Sequence, residues 1–253
     1  MDTRLYLDVN RFAQRTSWAH EAMHVYALYL GVVLLAVAAL AAYWRARGGW
    51  LGDSSSRRIA ATLWTPIAAV AAIGIAQPIN HAVARVRPYY ALSHVEVLVP
   101  KAHDFSFPSD HATVAGAVVV GLWLSRQRVV AAIGTILALL LAAARVYVGA
   151  HYPGDVLGGL GLGAFVALVG YPLAVPLIER VVEILRETPL RVLVGGHRTV
   201  QATHAGPAAA PAQIRATGAV KILDGTDVVA RRPAGSGGLS ATAGSARGEV
   251  PRS

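Results

Sequence analysis

Long uninterrupted apolar runs, rather than a one-sided stripe or a strict alternation, organise this chain. Residues 25–44, 59–79 and 156–178 contain no charged side chain. About 20 apolar residues carry a helix across a hydrocarbon core, so each run predicts one span. Two shorter runs, 112–125 and 129–144, are split by Arg126 and Arg128. They predict two further spans joined by a tight turn. The first takes in Phe105 and Phe107 at its start, the second Val146 and Val148 at its end. A soluble bundle would show a polar stripe on its outer helices, whereas these runs are apolar all round. The pattern predicts an all-α, polytopic membrane bundle of about five transmembrane helices.

The flanks differ from the runs. Residues 1–23 carry charges of both signs and lack the apolar core of a signal peptide. Leu5, Val9 and Phe12, with Leu7 and Trp18 nearby, trace a rough helical face. That segment reads as an interfacial helix or as a simple polar lead-in. Residues 24–198 form the expected membrane domain. From 199 to 253 the chain is rich in Ala, Gly, Pro, Ser and Thr, which predicts a largely disordered low-complexity tail.

Composition sharpens this picture. Apolar residues make up 55% and charged residues 15%, against about 25% charged in ordinary soluble domains. The chain has no cysteine, which excludes a disulfide framework, a Cys-ligated zinc site and a thiol nucleophile. The net charge of +9 could signal nucleic acid, but its distribution argues otherwise. With five spans, Arg45, Arg47, Arg57 and Arg58, then Arg126 and Arg128, then Arg180, Arg186, Arg191 and Arg198 all fall on one face. Lys and Arg in short loops mark the cytoplasmic side. The amino terminus and the loops around 80–110 and 145–155 then lie outside a plasma (inner) membrane, with the tail inside. The charge is a topology signal, and no nucleic-acid partner is expected.

The chemistry gathers in those outer loops. Three segments place Arg or His at the edges of spans: Asn80 to Pro88, Phe107 to His111, and Arg145 to Asp155. Ionisable residues there are costly unless partnered and are functional candidates. Arg87 and Arg145 offer planar forks suited to phosphate oxygens. Ser109 and Asp110 precede a span, where helix N–H groups favour an anion. His111 and His151 supply a nucleophile and an acid. Asp155, four residues after His151, can reach it on a helical turn and hold one tautomer. The sum suits phosphoryl transfer. The same residues allow other readings: a metal pair at His151 and Asp155, snorkelling anchors for the arginines, and helix caps for Ser109 and Asp110.

These segments resemble the membrane-bound type 2 phosphatidic acid phosphatases, whose pattern is Lys-x6-Arg-Pro, Pro-Ser-Gly-His and Ser-Arg-x5-His-x3-Asp. Here the three read Asn80-x6-Arg87-Pro88, Pro108-Ser109-Asp110-His111 and Ala144-Arg145-x5-His151-x3-Asp155. Order and spacing agree throughout. The runs Asp104 to His111 and Arg145 to Val156 resemble the bacitracin-resistance-type undecaprenyl diphosphatases, a bacterial branch.

The resemblance implies that His151 attacks phosphorus, that His111 protonates the leaving oxygen and that Asp155 supports His151. Arg87, Arg145 and Ser109 would bind phosphate oxygens, and no metal or other cofactor is implied. The expected partner is a lipid phosphate substrate in the bilayer. Asn80 stands where the family has Lys, Asp110 where it has Gly and Ala144 where it has Ser. Asn80 can still donate hydrogen bonds, and Lys101 is a further candidate for touching the phosphate. A polyprenyl diphosphate of the undecaprenyl type is the expected substrate, in carrier-lipid recycling for cell-wall synthesis. A lipid phosphomonoester such as phosphatidate or phosphatidylglycerol phosphate is the alternative within this chemistry. A non-catalytic lipid-phosphate binding or transport protein is the alternative outside it.

Overall fold

The computed structural model describes residues 1–48 and 55–195; the tail expected at 199–253 lies outside them. Helix α1 (Asp2–Arg15) buries Tyr6, Asn10 and Ala13 along one face. Leu5, Leu7 and Phe12 are exposed, while Val9 packs against the buried residues. The polar Asn10 can be buried because its amide is satisfied in both directions. It donates to the Glu96 carbonyl at 2.8 Å and accepts from the Glu96 N–H at 2.9 Å.

A continuous helical stretch, Ser17–Arg47, follows. It contains α2 (His20–Val25), one π turn (Tyr26–Leu30) and α3 (Gly31–Arg47). Helix α4 (Ser56–Val83) starts at Ser55, whose hydroxyl accepts the Arg58 N–H. A short α5 (Pro88–Ala91) and an irregular segment at 92–109 lead to α6 (Asp110–Leu124), α7 (Arg128–Tyr147), α8 (Pro153–Arg186) and α9 (Arg191–Val194). No strand occurs among the described residues.

Four stretches are long and apolar enough to cross a membrane: Ser17–Arg47, Ser56–Ala91, Arg128–Tyr147 and Pro153–Arg186. The fifth expected span, α6, has 15 residues, about 22 Å of helix. It does not extend back over Phe105 and Phe107 but begins only after Pro108 and Ser109. Its length suffices because it sits inside the bundle. It packs against α8, α4, α7 and α3, and Ala112, Thr113, Ala115, Gly116, Ala117, Val118, Gly121 and Leu122 are buried.

The α6–α8 contact is close because backbone meets backbone. A Cβ on Gly163 would stand 2.0 Å from the Thr113 carbonyl oxygen, and one on Gly116 2.2 Å from that of Leu160. The lipid-facing surface is the reverse: Val70, Val129, Leu157, Phe165, Leu168, Leu173 and Leu177 are all more than 50% exposed. A belt of large exposed apolar side chains suits a bilayer rather than water.

Candidate active site

A cavity of about 260 Å³ opens at the end of the bundle where α4 stops and α6 and α8 start. Its lining includes Arg87, Arg145, His111, His151, Asp104 and Asp110, with Asn80 and Leu28. Three sequence segments separated by tens of residues thus converge on one concavity. Arg87 and Arg145 are 7% and 6% exposed and His151 is 2% exposed.

The histidine at position 151 follows a tight turn after α7. Gly149 has φ +80°, and a Cβ there would lie 2.4 Å from the Glu96 carbonyl oxygen, so only glycine fits the turn. His151 Nδ1 lies 2.8 Å from the Ser106 carbonyl oxygen. A carbonyl can only accept, so Nδ1 carries the proton and Nε2 keeps its lone pair. Nε2 lies 3.3 Å from Arg87 Nη1 and 3.3 Å from Arg145 Nη2. Burial first, then Arg145 and Arg87, holds the imidazole well below its ordinary pKa. The resting state is a neutral histidine whose bare nitrogen is flanked by two guanidinium groups.

The two arginines are held differently. Arg145 Nη1 donates to the Ala27 carbonyl at 3.4 Å, and His111 is hydrogen-bonded to the Leu28 backbone. Both partners lie in the π turn of the first long helix, where the wider i→i+5 winding releases backbone groups. Arg87 pairs with Asp104: Nε donates to Oδ1 at 3.0 Å and Nη2 to Oδ2 at 2.9 Å. Asp104 is half-exposed, with its carboxylate on the fork that the sequence suggested for phosphate.

Several expected contacts are corrected. Asp155 does not touch the His151 ring. Its Oδ2 accepts from the Ser106 hydroxyl and from the Tyr152 N–H at 3.0 Å, and its Oδ1 accepts from Arg85 Nη1 at 2.6 Å. The reason is geometric: Tyr152 caps α8 and Asp155 turns back to cap it, which aims the carboxylate away from the ring. Support reaches His151 at one remove, through the Ser106 backbone. Asn80 spends its amide donors on the Phe105 and Phe107 carbonyls, each at 3.0 Å. It therefore holds the loop before α6. Lys101 is exposed and stands outside the cavity lining.

Ser109 is wholly buried, and its hydroxyl finds no hydrogen-bond partner among the described residues, although its residue is not one that lines the cavity. Asp110 lines the cavity and receives a 3.5 Å hydrogen bond from Gln77 Nε2. Sequence reasoning did not single out Ser106, Arg85 or the π-turn carbonyls of Ala27 and Leu28. Ser106 and Arg85 lie inside segments read as motifs, yet nothing in their spacing says what they touch.

A family model described as the PAP2 superfamily matches residues 61–178. An undecaprenyl-diphosphatase of Sulfolobus acidocaldarius is 34% identical over 114 residues, 45% of this chain and 54% of that protein. The match thus spans about half the length of that relative. Undecaprenyl-diphosphatase BcrC of Bacillus subtilis is 35% identical over 139 residues, 53% of this chain and 70% of that protein. Phosphatidylglycerophosphatase B of Bacillus subtilis is 36% identical over 91 residues, 31% of this chain and 41% of that protein. The matched stretch carries Asn80, Arg87, His111, Arg145, His151 and Asp155, and with them the whole polar wall of the cavity: this multi-pass membrane protein belongs to the PAP2 superfamily.

Proposed function

We propose that this protein is a lipid phosphatase that hydrolyses polyprenyl diphosphate to the monophosphate and phosphate through a phosphohistidine. The observation that carries the reading is the Ser106 carbonyl on His151 Nδ1, 2.8 Å away. It leaves Nε2 as an unprotonated nucleophile between two arginines. A terminal phosphate entering the cavity displaces Asp104 from Arg87. Nε2 attacks phosphorus in line with the bridging oxygen, the N–P bond forms and the P–O bond breaks. His111 gives its proton to the departing polyprenyl phosphate. Arg87 and Arg145 carry the growing charge on the equatorial oxygens. Water, deprotonated by His111, then breaks the N–P bond and restores neutral His151.

The substrate class follows the two undecaprenyl-diphosphatase relatives, and its cell-wall role follows from the carrier lipid. The match to phosphatidylglycerophosphatase B favours a second reading, in which a lipid phosphomonoester is cleaved by the same groups. Purified protein in detergent with EDTA should release phosphate from undecaprenyl diphosphate faster than from phosphatidylglycerol phosphate or phosphatidate. Terminally ³²P-labelled substrate should leave acid-labile label on wild type and none on His151→Ala. Wild-type phosphate release by His151→Ala would overturn the nucleophile.

A further inference from the structure

We propose that Arg85 is a positioning residue for the nucleophile, and that α1 belongs to the active site because its Asp2 holds Arg85. The inference rests on the reading of His151 as the nucleophile. Arg85 is held through both terminal guanidinium nitrogens and through its carbonyl. Nη1 donates to Asp155 Oδ1 and Nη2 to Asp2 Oδ2, each at 2.6 Å. Its carbonyl accepts the Ser106 N–H at 2.8 Å. Its guanidinium lies over the Tyr152 ring, 4.1 Å from the centroid. Ser106 is therefore gripped from two sides: its N–H by the Arg85 carbonyl, and its hydroxyl by Asp155, which Arg85 neutralises. Ser106 in turn presents the carbonyl that fixes the His151 tautomer.

Asp155 is 0% exposed, and Arg85 is its one ion-pair partner among the described residues. A buried carboxylate without a cation is costly, so the chain Arg85–Asp155–Ser106–His151 stands or falls together. Asp2 completes it from the far end of the sequence. Its Oδ1 accepts the Gly154 N–H at 2.8 Å, in the first turn of α8. A Cβ on Gly154 would lie 2.9 Å from Asp2 Oδ2, so the carboxylate is seated directly against the helix start.

Phosphate is met by Arg87 and Arg145, which Arg85 does not touch. Losing Arg85 should thus slow the chemical step and spare binding. It should also change the protonation of His151. That ring faces Arg87 and Arg145 at Nε2, His111 and Asp110 from α6, Asp104 across Arg87, and Asp155 behind Ser106. Of these, Asp155 alone loses its counter-charge, which favours the imidazolium.

The test is steady-state hydrolysis of undecaprenyl diphosphate by the full chain in detergent, across pH, for wild type, Arg85→Gln, Arg85→Lys, Asp2→Asn and His151→Ala. Arg85→Gln should lower kcat about 10- to 100-fold, as small misplacements of reacting groups do. KM should stay within about twofold, and the acid limb of kcat/KM should move to higher pH. Arg85→Lys should recover part of the rate, and Asp2→Asn should lose less than Arg85→Gln. The inference is overturned if Arg85→Gln turns over like wild type, if KM rises in place of the fall in kcat, or if the acid limb stays where it is. Should Arg85→Gln fail to fold, Arg85→Lys and Asp2→Asn decide by the same two readouts. Turnover by His151→Ala would overturn the underlying nucleophile assignment instead, whatever the Arg85 variants do.

Discussion

His151 shows how one residue's surroundings set its chemistry. Its burial and its two arginine neighbours oppose protonation, so its pKa in the folded protein lies well below the ordinary 6.5. His151 stays neutral as pH falls through 6.5, so with His151 as the proposed nucleophile the acid limb of kcat/KM is expected below that value. A limb at the ordinary histidine position would contradict the assignment. The sign for stability is opposite. Below about pH 6.5 the unfolded chain takes up a proton that folded His151 refuses, so His151 makes the fold less stable as pH falls. At this scale much of the site was legible, because Arg87, His111, Arg145 and His151 carry chemistry that few apolar spans tolerate. The corrections came where a side chain had two possible partners. Asp155 turned to Arg85 and Ser106, and Asn80 turned to the loop carbonyls. Spacing reports who can reach, and only packing decides who is reached.

Helices were legible as runs, and their ends were not. The apolar count extended α6 back across Phe105 and Phe107. The structure starts it at Asp110, which puts His111 in the first turn. The π turn at Tyr26–Leu30 left no mark in the hydrophobic pattern, since a run of apolar residues reads alike in either winding. The glycines of α8 meet different partners. Gly159 and Gly163 face α6, while Gly154 meets Asp2 and Gly158 meets Phe107. Gly163→Ala should push α8 off α6 and cost about 1–3 kcal/mol, read as a lower Tm in detergent with reduced turnover. Gly161→Ala, with no atom within 4 Å of its new Cβ, should leave both unchanged. Equal behaviour of the two variants would refute the close seam.

At the scale of the whole molecule the arginines give a testable orientation. The chain has no cysteine, so single cysteines report sidedness without background. In intact cells Lys101→Cys should react with a membrane-impermeant maleimide. Arg128→Cys, at the opposite end of the bundle, should react only after permeabilisation. The reverse pattern would place the cavity on the cytoplasmic side. That the chain is a membrane bundle was plain from its runs; that α6 is the enclosed member was not, because a run does not say what surrounds it. The enclosure has a biosynthetic consequence. Of the groups around His151, ribosomes deliver Arg85 and Arg87 first, just after α4, then α6 with His111, then α7 with Arg145, and then α8. His151 and Asp155 arrive only at the start of α8, so a nascent chain halted after α7 holds the arginines proposed to bind phosphate but lacks the proposed nucleophile. On the proposed mechanism, turnover waits until α8, the last long helix, is inserted.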